Sequence, residues 1–164
     1  MKNTKKTVIA GLLIAVAVVG STFAFPVFGS KCSPVQHMVN VLAAVVLGPW
    51  YGVAMAFITS IIRVAFGLGT LMAFPGSMCG ALLAGLAYKY FKKLPFACIG
   101  ELFGTSIIGG LLAYPVALLL MGNKTAAIFG YIIPFLISSA GGTIIAAVIV
   151  LALNKTHALE GQKQ

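Results

Sequence analysis

Acidic residues are almost absent from this sequence: Glu101 and Glu160 are the only two in 164 residues. Paired carboxylates for acid–base chemistry are therefore excluded, and an enzyme of that kind has few possible players. Eleven basic residues bring the charged fraction to only 8%, against roughly 25% in a soluble domain whose surface water must solvate. Thirteen charged side chains cannot wet a globule of 17.0 kDa, so lipid has to be the solvent for most of this surface. Cysteine is scarce as well. Cys32, Cys79 and Cys98 are odd in number and widely spaced, which excludes a disulfide framework and any Cys/His metal site. No phosphate-binding loop is present, because Gly122-Asn123-Lys124-Thr125 lacks the spacing and the glycine before lysine. Gly76-Ser77-Met78-Cys79-Gly80 holds its serine off centre and has no preceding strand, so it is no nucleophile elbow. No catalytic residue, metal or cofactor is expected, and the chain has no means of supplying its own ATP energy.

What fills the space is apolar. Hydrophobic residues make up 60% of the chain and the mean hydropathy is +1.08. Apolar runs recur throughout and predict an all-α membrane protein, a bundle of six transmembrane helices at about 7–25, 35–47, 49–66, 74–90, 94–121 and 126–153. The whole chain, 1–164, reads as one integral membrane domain, with 1–6 and 154–164 as tails. The first run follows Lys2, Lys5 and Lys6 as a signal peptide would, and is expected to stay as an uncleaved span. Ser33-Pro34 suits a helix start, with serine as N-cap and proline at the first helical position. Gly48-Pro49 is an equally good break. The second helix is short, since thirteen residues rise only about 20 Å; it is either a short element or one arm of a hairpin with the third. Pro115 and Pro134 mark places for kinks in the last two helices.

The net charge of +9 could suggest nucleic acid, but the basic residues sit in small clusters at the ends of apolar runs rather than in a stripe. Their placement speaks instead of topology. Lys2, Lys5, Lys6, Lys89, Lys92, Lys93, Lys155 and Lys163 fall on one side of a six-span arrangement, against Lys31 and Lys124 on the other. Positive charge holds loops in the cytoplasm, so both termini are expected there, in a multi-pass protein of the cell membrane.

Small residues recur at spacings of four: Gly11 and Ala15; Gly76, Gly80 and Ala84; Gly100 and Gly104; Thr105, Gly109 and Ala113. Such patterns let helices approach closely in lipid. Most should pack within the bundle, while the pair on the first helix could equally dock a partner. Polar side chains inside a membrane are costly and so informative. Gln36, His37 and Asn40 share one face at the outer start of the second helix. Arg63 and Ser77 lie at a similar depth, with Tyr114, Tyr131, Ser138 and Ser139 as outer-half contributors. Each has a plainer reading: serines bond their own helix backbone, tyrosines belong to an interfacial belt, and Arg63 snorkels to headgroups. Their convergence at one depth favours a pocket. Glu101, about 10 Å along the fifth helix, should lie deeper than this cluster, with pairing, ligand binding and proton relay all open to it.

The runs Gly29-Ser30-Lys31-Cys32-Ser33-Pro34-Val35-Gln36-His37-Met38-Val39-Asn40, Gly48-Pro49-Trp50 and Ala73-Phe74-Pro75-Gly76-Ser77-Met78 resemble the ThiW family, substrate-capture S components of energy-coupling-factor (ECF) vitamin transporters. The resemblance spans nearly the whole chain. One departure is Val64 after Arg63, where relatives carry asparagine. The resemblance implies a six-helix protein that binds the thiamin precursor hydroxyethylthiazole near the outer face. It implies partners too: a transmembrane coupling protein and two ATPase subunits that drive import. The loop at 26–33, carrying Lys31 and Cys32, would be a lid over the substrate, and Gly11 and Ala15 would contact the coupling protein. Substrate contacts would fall on Lys31, Gln36, His37, Asn40, Arg63, Ser77, Glu101, Tyr114 and Ser138. An S component for another vitamin, such as thiamin or riboflavin, and a structural or channel subunit remain as alternatives.

Overall fold

A computed structural model describes residues 3–28, 30–125 and 127–156. Lys2, Gly29, Ala126, Glu160, Lys163 and most of the expected C-terminal tail lie outside the described residues. Six helical units follow one another: α1 (Asn3–Gly20, continued by a 3-10 turn Ser21–Phe23), α2 (Pro34–Val46), α3 (Pro49–Ala65), α4 (Ala73–Phe91), α5 (Leu94–Leu120) and α6 (Ile132–Lys155). By length and composition, 3–23, α5 and α6 are long and apolar enough to cross a membrane; α2 and α3 are shorter apolar helices.

The breaks are local chemistry. Gly48 adopts φ 91° directly before Pro49, which opens α3; that backbone region is open to glycine and strained for other residues. Pro34 opens α2, but the hydroxyl of Ser33 makes no capping bond. Its backbone N–H instead donates to Ser138 Oγ at 2.8 Å, so the expected cap is replaced by a tie to α6. Pro134 does not kink its helix. It falls in the first turn of α6, where the missing N–H would have no intrahelical acceptor anyway. That helix begins at Ile132 rather than near 126, because turns occupy the preceding residues and Asn123 Oδ1 accepts from the Thr125 N–H at 3.2 Å. After Pro115 the segment Val116–Leu120 widens into a π-helix. A second π segment, Gly104–Gly109, lies mid-helix in α5.

Helix α2 is short, as expected, and is enclosed by the rest of the bundle. All residues from Gln36 to Val46 are buried. Helix α2 packs most extensively against α6 and α4, and sits at the centre of a core that includes Ala10, Val41, Val45, Tyr88, Ala97, Ala146 and Val150. Small residues bring α4 and α5 into backbone contact. A Cβ at Gly104 would come within 2.5 Å of the Cys79 carbonyl oxygen, and one at Gly109 within 2.6 Å of Gly76 Cα. A small second cluster, Met72, Ala113, Ala117, Tyr131 and Phe135, closes the end where α4 and α6 begin.

The segment between α1 and α2, expected as a loop, is a two-stranded antiparallel hairpin. Strand β1 (Phe25–Val27) pairs with β2 (Ser30–Cys32) in the register Phe25↔Cys32 and Val27↔Ser30. Pro26 is tolerated because β1 is an edge strand.

Candidate functional site

The start of α2, the end of α3, the starts of α4 and α6, and the hairpin meet at one end of the bundle. Between them lies a cavity of about 430 Å³ of empty space, its open mouth included. The interior that centres of water molecules can occupy is only about 30 Å³, so the described conformation is tight. Ser30, Lys31 and Ser33 line it from the hairpin side, Gln36 and His37 from α2, and Arg63 from α3. Ser77, Thr105, Phe135 and Ser138 complete the wall, with Thr70, Met72, Ala73 and Gly76.

Of the residues expected at a site, Lys31, Gln36, His37, Arg63, Ser77 and Ser138 border this cavity, while Asn40, Glu101 and Tyr114 do not. Tyr114 is half-buried on α5. Of the other outer-half candidates, Ser139 bonds the Leu136 carbonyl and Tyr131 accepts from Asn123 at 3.4 Å. Asn40 and Glu101 form a layer beneath the wall. Glu101 Oε1 lies 2.8 Å from His37 Nδ1, 3.0 Å from Asn40 Nδ2 and 3.0 Å from Thr105 Oγ1. Asn40 Nδ2 also donates to the Ser77 carbonyl at 3.1 Å, and its Oδ1 accepts from Gln36 Nε2 at 3.2 Å. Glu101 lies beneath the cavity wall, and its Oε1 is the common acceptor for His37, Asn40 and Thr105. The reason is geometric. A short α2 begins part-way down the bundle, so its first turns meet the carboxylate rising from the opposite end.

His37 Nδ1 and Glu101 Oε1 share one hydrogen bond, which leaves the other ring nitrogen of His37, a residue that lines the cavity, outside this contact. A third hydroxyl link runs along the α3–α4 face: Ser77 Oγ donates to the Ala73 carbonyl at 2.7 Å and lies 3.1 Å from Ser60 Oγ.

Three of the lining residues hold buried polar atoms that bond no other described group: Ser33 Oγ, Gln36 Oε1 and Arg63 Nε. Arg63 is only 3% exposed. Buried polar atoms are almost always paired, and each that is not costs about 1–3 kcal/mol. Three converging on one cavity mark a place built for a polar guest.

The hairpin is pinned above it. Lys31 Nζ donates to the Gly67 carbonyl at 2.9 Å, and Cys32 Sγ to the Pro134 carbonyl at 3.2 Å. Burial pushes the Cys32 thiol above its usual range. Thr105 and Ser33 escaped the sequence reading as lining residues. Threonine in an apolar helix ordinarily back-bonds, and only the π segment at Gly104–Gly109, a feature frequent at functional sites, distinguishes Thr105.

The described residues form a bundle of apolar helices with a polar cavity under a hairpin. The solved structure reported as "Structure and mechanism of the S component of a bacterial ECF transporter" shares this fold, with a TM-score of 0.79 over 94% of this chain and 98% of that one, at 21% identity. The fold is that of an ECF S component. The sequence profile of the thiamine-precursor transporter protein family, ThiW, matches residues 7–156, and the chain belongs to that family. No curated protein matches the chain.

Proposed function

We propose that this protein is the substrate-binding S component of an ECF-type importer, capturing the thiamin precursor hydroxyethylthiazole in the cavity under the hairpin. One observation carries the reading: three residues that line a single small cavity, Ser33, Gln36 and Arg63, each hold a buried polar atom that bonds no other described group. A small heterocycle with a polar arm suits it. Phe135 and Met72 supply apolar contact, and donors and acceptors from α2 and the hairpin supply direction. The tight interior favours such a guest over thiamin or riboflavin, which need more room.

In this reading the chain is one multi-pass domain of the cell membrane, with both termini and the Lys89–Lys93 loop in the cytoplasm and the hairpin outside. Lys5, Lys6, Lys89, Lys92, Lys93 and Lys155 gather at the end of the bundle opposite the cavity, as positive charge retained inside requires. A transmembrane coupling protein and ATPase subunits then deliver the bound precursor. The outward face of α1, where a Cβ added at Gly11 would meet nothing within 4 Å and Ala15 is exposed, serves as the docking surface.

Calorimetric titration of detergent-solubilised protein with hydroxyethylthiazole, thiamin and riboflavin tests the reading. Saturable one-site binding of the thiazole supports it. Binding of a different vitamin would keep the transporter class and discard the substrate. Silence from all three in folded protein would overturn the capture role for these ligands.

A further inference from the structure

The cavity contains a cation without a counter-ion. Arg63, buried to 3% exposure at the end of α3, lines the wall, and its Nε bonds no other described group. Glu101 is the only acid among the described residues. Its carboxylate is engaged by His37, Asn40 and Thr105 instead. A second cation, Lys31, stands at the hairpin edge of the same cavity. Both basic side chains therefore border a space that no acid lines. Removing a guanidinium from water without a partner is unfavourable, and buried charges in folded proteins are paired or bind something. In a membrane bundle the default reading of such a residue is functional.

We infer that the ligand of this cavity carries an oxyanion, a phosphate monoester or a carboxylate, that pairs with the Arg63 guanidinium. The planar fork of arginine matches either group with two parallel hydrogen bonds. The unpaired hydroxyl of Ser33 on the same wall adds a donor of the kind an oxyanion takes. The inference rests on the capture role proposed above and changes its substrate from a neutral alcohol to an anionic heterocycle. Lys31, already bonded to the Gly67 carbonyl, contributes field at the mouth rather than a direct contact. The cavity thus attracts anions along its entry path and pairs them at its wall.

The test is a set of calorimetric titrations of the full chain in detergent with three probes: hydroxyethylthiazole, its phosphate monoester, and the analogue whose arm ends in a carboxylate. Each is run on wild type, Arg63→Gln and Arg63→Lys. One of the two anions is expected to bind wild type about tenfold to hundredfold more tightly than the alcohol, the range of a charge-assisted hydrogen-bonded pair. Which anion prevails identifies the source. In Arg63→Gln that advantage should fall to about threefold or less, and Arg63→Lys should keep part of it. If the alcohol binds wild type as tightly as both anions, the inference fails and the capture role stands. If no thiazole binds to folded protein, both fail. The wild-type comparison needs no variant, so misfolding of Arg63→Gln would not blunt it.

Discussion

Glu101 is fully buried and directs a single oxygen, Oε1, toward three neighbours, while Oε2 bonds none of the described groups. That asymmetry separates two substitutions. Glu101→Gln keeps size and an acceptor oxygen, so stability should fall by about 1 kcal/mol. Glu101→Ala strands His37 Nδ1 and Asn40 Nδ2 in a buried layer and should cost about 3 kcal/mol or more. Denaturation in detergent followed by circular dichroism reads both, and equal stability of the two variants would remove the carboxylate from its organising place. The two α2 residues above it differ in the same way. His37 borders the cavity and Asn40 does not. His37→Ala should weaken ligand binding by about tenfold through a lost contact. Asn40→Ala should act through Gln36 and Glu101, lowering stability along with affinity. Calorimetry paired with thermal melts separates them: both variants should melt lower, but the loss of affinity relative to the loss of melting temperature should be larger for His37→Ala.

At the level of elements, α4 and α5 pack through bare backbone. A Cβ at Gly104 would meet the Cys79 carbonyl and Gly80 Cα, 2.9 Å away, so something must shift. Gly104→Val should destabilise the folded protein by about 2–3 kcal/mol, the cost of overpacking a fitted interface, whereas Gly11→Val, with nothing near, should change stability little. These patterns, like the breaks at Pro34 and Gly48-Pro49, were legible in the sequence because proline, glycine and four-residue spacing act locally. The burial of α2 was not, since an all-apolar helix looks the same whether lipid or protein surrounds it. Nor was the hairpin: three-residue strands in Phe25–Cys32 carry too little alternation to stand out. Of the site, the polar face Gln36-His37-Asn40 could be read from helical spacing. The tie between Glu101 and that face depends on how far down the bundle a short helix begins, which no local pattern records. The hairpin offers its own test. Burial and the bond to the Pro134 carbonyl hold Cys32, and its raised thiol pKa keeps thiolate scarce at neutral pH. With Cys79→Ala and Cys98→Ala to silence the other thiols, alkylation by a water-soluble maleimide should be slow, and it should rise as pH climbs toward the raised value. Bound ligand should slow it several-fold further. A rate indifferent to ligand would mean that the hairpin is not the cavity's lid.

For the whole molecule, the distribution of surfaces says how the protein must work with others. In the capture role proposed above, a partner meets the chain through lipid. Helix α1 is the element least enclosed by the bundle: only Ala10 and Ala17 are buried along it, and Val8, Leu12, Val16, Val19 and Phe23 stay exposed. An apolar groove of about 420 Å³ opens beside Ala15, Val16 and Val19. Gly11 and Ala15 form the shallow part of this face, where another helix could approach closely. Because neither side chain supports the fold, a bulky residue there should separate assembly from folding and from capture. Gly11→Leu combined with Ala15→Leu should leave the melting temperature and ligand affinity within about twofold of wild type, since exposed positions away from packed contacts change stability little. Co-purification with the coupling protein and ATPase subunits should drop sharply, and uptake in cells with it. Loss of ligand binding in the double variant would place α1 in the site rather than at the interface. Full assembly and uptake would move the docking surface to another face of the bundle.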